Sequence, residues 1–228
     1  MQFQLRSFRM AAALFGALLP VYAQSSTPAT VDPAYLVRYA ANLNVGESYI
    51  DIVNTVLNGD PFLGPGFGSG ALGNICVNVY AMSTDEQMAA CCSCLITANQ
   101  VVSLGVNSSL LQRTLTGATE TALTIKLIGS NAGATSCANS AAAVTAANML
   151  TGGFTAFGTT LHALPAPGSY ATTETPFAPA QFATGGLPGA NDELHSLTAG
   201  CAAILGNGST HGICAGCKAA TAGAVKQQ

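Results

Sequence analysis

Three of the eight cysteines fall within four residues, Cys91-Cys92-Ser93-Cys94, and no other stretch constrains the fold as much. They lie in MAACCSCLIT, residues 88–97, which reads as a β-strand. Side chains alternate along a strand, so Cys92 and Cys94 share one face and Cys91 takes the other. A single strand thus offers covalent anchors on both of its sides. The remaining cysteines are Cys76, Cys137, Cys201, Cys214 and Cys217. If the preceding strand folds back over Thr84-Asp85-Glu86, Cys76 comes opposite Cys94, and a local bridge is expected there. Cys201 is expected to join Cys214 or Cys217, tying a helix to the tail. Spacing alone does not choose the full pairing.

The chain starts with MQFQLRSFRM, which carries Arg6 and Arg9 and no acid. An apolar run from Met10 to Leu19 follows, then Pro20 and Val21-Tyr22-Ala23. This is the layout of a secretory leader, with cleavage expected after Ala23. The apolar run is about half the ~20 residues that a spanning helix needs, and no second long run occurs. The mature chain is therefore expected to have no transmembrane segment. Its expected location is secreted, at the cell surface or extracellular, with the periplasm as the bacterial equivalent. An even cysteine count behind a leader reads first as disulfides, so all eight are disulfide candidates.

Charge excludes several classes. Only 7% of residues are charged and 49% are hydrophobic, which is unlike a disordered chain. After residue 23 five bases stand against ten acids, a net charge of −5. No basic patch for nucleic acid can be built from so few cations. Ser and Thr far outnumber the charged residues, so mutual repulsion is weak and self-association is favoured.

Residues 24–34 are rich in Ser, Thr, Pro and Ala and read as a flexible N-terminal tail. Residues 35–228 read as a single disulfide-rich β domain, without linker or fixed repeat. VGESYIDIVNTV (45–56) reads as a strand with Ile50, Ile52 and Val56 on one side. Asn58-Gly59-Asp60-Pro61 ends it, and a glycine-rich loop covers 62–74. ICVNVYAM (75–82) pairs with the cysteine strand as a hairpin across 83–87. Residues 101–106 read as a further strand, and 110–115 as a helical turn or loop. In TALTIKLI (121–128), Leu123, Ile125 and Leu127 face in while Thr124 and Lys126 face out. The Ala-rich 138–150 reads as a short helix or a variable loop. Residues 154–164 and 169–175 read as strands separated by Pro165 and Pro167. NDELHSLTAGCAAIL (191–205) is a helix, with Asn191 as cap, Gly206 as its close, and Leu194, Leu197, Cys201 and Ile204 on its buried face. The tail beyond 207 is a loop. The fold expected is mainly β: an antiparallel β-sandwich with one C-terminal α-helix, long Gly/Pro-rich loops and disulfide staples.

Motifs for chemistry are sparse. Cys201, His211, Cys214 and Cys217 are the one candidate metal set, since H-x2-C-x2-C has zinc-like spacing. A second ligand pair at such spacing is missing, and an oxidising compartment favours bridges, so no metal or cofactor is expected. Cys214-Ala-Gly-Cys217 follows a glycine-rich loop rather than opening a helix after a strand, which argues against a redox pair. Lys218 stands where haem attachment needs a His. Gly68-Ser69-Gly70-Ala71-Leu72-Gly73 matches the dinucleotide pattern in letters, but a strand follows it where a helix is required.

His162, His195 and His211 are the only histidines, and no nucleophile motif accompanies them. The carboxylate pairs Asp85-Glu86 and Asp192-Glu193 fit a turn and a helix start. Asp51, Asn54, Asn58 and Asp60 gather oxygens without the spacing of a calcium loop. Asn107-Ser108-Ser109 and Asn207-Gly208-Ser209 are glycosylation sequons. A count of eight cysteines is also that of the hydrophobins, but those short chains carry two Cys-Cys doublets and this one has one.

No catalytic residue is assigned, and the balance is against an enzyme. The leading expectation is a secreted, non-catalytic structural or adhesive protein that self-associates or joins the cell surface. The alternative is a secreted glycan- or ligand-binding β-sandwich module, which would group exposed Tyr and Phe on one face. The third is a secreted metal- or His-dependent enzyme, which would bring His211, Cys214 and Cys217 together in a pocket.

Overall fold

The computed structural model describes residues 32–56, 73–115, 117–132, 136–138, 140–183, 192–215 and 217–219. The expected leader and its cleavage site, the turn at Asn58–Pro61, the glycine-rich loop up to Leu72 and the cap at Asn191 lie outside the described residues.

Among those residues the strands form two antiparallel five-stranded sheets. The first contains β1 (Asp32–Ala40), β3 (Ile75–Met82), β4 (Met88–Ile96), β6 (Leu123–Asn131) and β9 (Ala178–Ala180), in the order β4-β3-β6-β1-β9. The second contains β2 (Tyr49–Asn54), β5 (Val101–Gly105), β7 (Phe154–Ala163), β8 (Tyr170–Pro176) and β10 (Lys218–Ala219), in the order β10-β5-β2-β7-β8. Val79, Ile125 and Leu127 of the first sheet share one core with Ile50, Ile52 and Leu104 of the second. The fold is the expected mainly β sandwich.

A third layer closes the outer face of the first sheet. It consists of α2 (Glu193–Gly206) and the single turn α1 (Ser140–Ala143) in the Ala-rich stretch. Leu197, Cys201 and Ile204 of α2 pack with Tyr35, Tyr80 and Ile128 of the sheet. Asp192, rather than Asn191, supplies the cap: its carboxylate accepts the His195 N–H at 2.6 Å. Because helices cover one face and the second sheet covers the other, β3 is apolar almost throughout instead of alternating.

The same burial explains why β1 escapes the sequence reading. PAYLVRYA shows no clean alternation, since Leu36 faces the sandwich core and Tyr35 the helical layer. Asp32–Ala34, placed in the expected tail, therefore belongs to a strand.

Two polar arrangements hold the layers in register. Asn78 is fully buried in β3; its Nδ2 donates to the Ile128 carbonyl at 3.0 Å and to Ser130 Oγ at 2.9 Å. Ser93 Oγ donates to Asn78 Oδ1 at 2.8 Å and accepts the Ala141 N–H of α1 at 2.7 Å. On the same outer face Glu193 receives Lys126 Nζ at 2.6 Å, the Tyr35 hydroxyl at 2.5 Å and the Ala183 N–H at 2.9 Å. Lys126 does leave the core face as expected, but it ends half-buried against α2. Burial acts to raise the Glu193 pKa; the bonds from Ala183, Lys126 and Tyr35 outweigh it and hold the carboxyl below its ordinary value. Burial first, and then the Glu193 hydrogen bond, push the Tyr35 hydroxyl up.

The chain changes sheets at Phe177, between β8 and β9. This residue is buried, and its N–H donates to the Ala156 carbonyl at 2.8 Å. Arg38 lies 5.9 Å from its ring centroid and donates to Thr175 and to Thr160 Oγ1, the latter at 2.9 Å. Burial lowers the Arg38 pKa, opposed by the charge of Glu174.

Candidate functional site

All eight cysteines are paired: Cys76–Cys137, Cys91–Cys201, Cys92–Cys214 and Cys94–Cys217. Their Cα atoms stand 5.2–5.8 Å apart, the usual span of a disulfide. The opposed faces of Cys91 and Cys92 are as expected. Cys91 bonds α2 on the outer face, while Cys92 and Cys94 bond the C-terminal segment on the other.

Two expected pairings are corrected. Cys201 joins strand β4, not Cys214 or Cys217, so helix and tail are each tied to the sheet rather than to one another. Cys76 pairs in register with Leu95, and Cys94 with Val77. The cause is a bulge. Next to the turn Met82 pairs with Met88, but Ala81 pairs with Ala90, so Ala89 is an extra residue and every later pair moves by one. Cys76 therefore faces away from Cys94, toward Cys137.

The candidate metal set does not assemble. Cys201, Cys214 and Cys217 are each bonded to a different cysteine of β4, and a bridged sulfur is no thiolate ligand. The sulfurs that do approach one another, within 4.8 Å, are Cys92, Cys94 and Cys217, which belong to two adjacent bridges. His211 is exposed, with Nδ1 3.1 Å from the Ser209 carbonyl oxygen.

The other candidates are placed as follows. His162 is exposed on β7, with Nε2 2.9 Å from Thr173 Oγ1; His195 is exposed in the first turn of α2. Neither bonded histidine contacts a carboxylate through these bonds. Asp85 lies in the β3–β4 turn and accepts from Ser83 Oγ. Asp51 and Asn54 point to opposite sides of β2, and Asn54 is consumed by bonds to Gly73, Ile96 and Val56, so these two members of the calcium set do not face one another; Asn58 and Asp60 lie outside the described residues. The exposed aromatics Tyr39 and Tyr170 lie on different sheets, so the described residues do not show the aromatic face expected of a glycan module.

Two features remain that sequence reading did not single out. One is an open cleft of about 650 Å³ between the loop after β5 and the loop before Cys214. Leu43, Leu111 and Leu115 line it together with Arg113, Glu120 and His211. The Gly212 N–H donates to the Arg113 carbonyl and joins the two loops. Arg38 is buried and Lys126 is ion-paired, whereas Arg113 is exposed at this mouth.

The other feature is the β8 edge of the second sheet, which no described strand other than β7 pairs. Every residue from His162 to Pro176 is exposed, although Arg38 of β1 holds Thr175, and no described strand other than β7 pairs with β8. The other described edges are short or covered. The backbone of residues 212–214 bonds to Cys91 along β4, β9 has three residues with Pro179 among them, and β10 has two. β8 has seven residues, YATTETP, with one charge and no proline before its end. An exposed edge strand that no further described strand pairs is a template for another strand. The composition of 170–176 is visible in sequence; its place at the edge is not.

Comparison with family models, with curated proteins and with solved structures finds no match to this chain.

Proposed function

We propose that this is an exported, disulfide-stapled structural protein that assembles with further copies of itself through β8. The exposed β8 strand, paired among the described residues with β7 alone, carries the reading. An antiparallel two-fold pairing centred on Thr173 sets Glu174 opposite Thr172 of the second copy, so no like charges oppose one another. Threonine-rich strands favour such pairing, and the low charge of the chain does little to resist it. The paired cysteines support a scaffold role, because they leave no thiol for chemistry.

The test is the molar mass in solution as a function of concentration, by light scattering or sedimentation. The mature chain is expected to associate as concentration rises. Thr173→Lys places a charge at the centre of the edge and is expected to give monomers with an unchanged melting temperature. A wild-type chain that remains monomeric at high concentration would refute the proposal.

The cleft beside Arg113 favours a second reading, as a binding module for a small carboxylate-bearing ligand. The guanidinium would hold the carboxylate and the three leucines its apolar part. Loss of carboxylate binding in Arg113→Ala, with assembly intact, would separate this reading from the first.

A further inference from the structure

The two sequons meet opposite conditions. Asn107 lies in a π-helical turn, Val106–Leu110, and is half-buried. Its Nδ2, the atom that would carry a glycan, donates to the Leu43 carbonyl and to the Gly46 carbonyl, both at 2.9 Å. Its N–H donates to Glu47 Oε1 at 2.9 Å and the Ser108 N–H to Glu47 Oε2 at 3.1 Å. The Asn107 carboxamide is thus a strut that holds the 43–47 loop against the turn. A sugar on Nδ2 replaces one of the two protons used in those bonds and needs space that the loop fills.

Asn207 ends α2, and residues 206–211 are all exposed. Its Oδ1 accepts the Ser209 N–H at 2.7 Å and Ser209 Oγ at 2.6 Å. Both bonds fall on the oxygen, and no described contact engages Nδ2. Gly208 takes the left-handed conformation that this turn requires, with φ at +69°. A glycan at this corner displaces no described contact.

We infer that Asn207 is the acceptor for an N-linked glycan and that Asn107 is a structural residue which the folded protein keeps unmodified. The donor class is an oligosaccharide on a polyprenyl diphosphate. Asn207 Nδ2 forms a bond to the anomeric carbon, the bond from that carbon to the diphosphate oxygen breaks with its electron pair, and one amide proton leaves to a base. The inference rests on the export reading, since only an exported chain meets this donor.

The experiment expresses the full chain in a eukaryotic secretory host, and beside it the same chain behind the host's own leader. Secreted, non-reduced protein is treated with an N-glycan amidase in heavy-oxygen water, which converts an occupied Asn to labelled Asp. Label at Asn207 and unlabelled Asn at 107 are expected. Asn207→Gln should lose the glycan mass and keep its melting temperature. Asn107→Gln should keep the glycan mass and melt lower. Label at Asn107 in protein with all four bridges formed would overturn the inference, as would an unmodified Asn207 in secreted protein. Secretion only with the host leader refutes the export reading and leaves the site testable on that second chain.

Discussion

Removing the bridges one pair at a time should reverse the ranking that sequence separation suggests. A disulfide stabilises mainly by limiting the unfolded chain, and more so for a longer closed loop. The separations are 61 residues for Cys76–Cys137, 110 for Cys91–Cys201, 122 for Cys92–Cys214 and 123 for Cys94–Cys217. Three bridges, however, start from one short run on β4 and share their unfolded-state constraint. With its neighbours intact, removal of Cys92–Cys214 reopens only the path from 92 to 94 and from 217 to 214, about 5 residues, and the same holds for Cys94–Cys217. Removal of Cys91–Cys201 reopens the path from 91 to 92 and from 214 to 201, about 14 residues. Cys76–Cys137 has no such shortcut and reopens its full loop of 61 residues. The corresponding losses are about 2 kcal/mol each for the first two, about 3 for Cys91–Cys201 and about 4 for Cys76–Cys137. The bridge with the smallest separation should therefore contribute most. Lost sulfur packing does not lift Cys92–Cys214 or Cys94–Cys217 above Cys76–Cys137, because Cys76 and Cys137 are both buried while Cys92 and Cys217 are half-buried. The assay is urea unfolding of the four oxidised Cys→Ala pairs, each checked by mass for three remaining bridges. A ranking that follows separation, with Cys76→Ala/Cys137→Ala the mildest, would refute the shared-constraint reasoning.

Asn78→Ala should cost about 2–3 kcal/mol, because it strips partners from Ser93 and Ser130 in a dry site; urea unfolding measures it. Ser48→Ala should be neutral or stabilising by about 1 kcal/mol in the same assay, since Ser48 Oγ is buried with no protein hydrogen-bond partner. Gly129→Ala should destabilise by about 1–3 kcal/mol, as its Cβ would stand 2.8 Å from the Phe154 ring; a thermal melt reads the loss. The depressed Glu193 pKa stabilises the fold above the ordinary carboxyl range, and this contribution disappears as pH falls through the folded value. Glu193→Gln should thus be less stable at neutral pH and show a flatter acid limb. Tyr35 and Tyr80 have raised pKa values, so stability should fall once pH rises above about 10, where the unfolded chain ionises and the folded chain does not.

Much of the fold was legible because it depends on neighbours in sequence. The β3–β4 hairpin, β6 and the β7–β8 pair follow from alternation and turn residues, and α2 from its apolar spacing. The site was legible only in part. The cysteines announced a disulfide framework, and the opposed faces of Cys91 and Cys92 follow from strand geometry alone. Their partners do not, since one bulge at Ala89 moves the register that local reading assigns to Cys76 and Cys94. Neither edge exposure at β8 nor the mouth around Arg113 has a local signature, because each depends on which distant segment packs alongside.

Sequence by itself determined a cysteine-stapled, mainly β chain with a capped C-terminal helix, through periodicity, turn chemistry and composition. Tertiary structure alone decided that β1 is a strand with Tyr35 and Leu36 buried on opposite faces, which cysteines meet, and which edge strand no further described strand pairs. Those outcomes are set by the packing of three layers, in which residues 61 to 123 positions apart come into contact and local propensity carries no information about the partner.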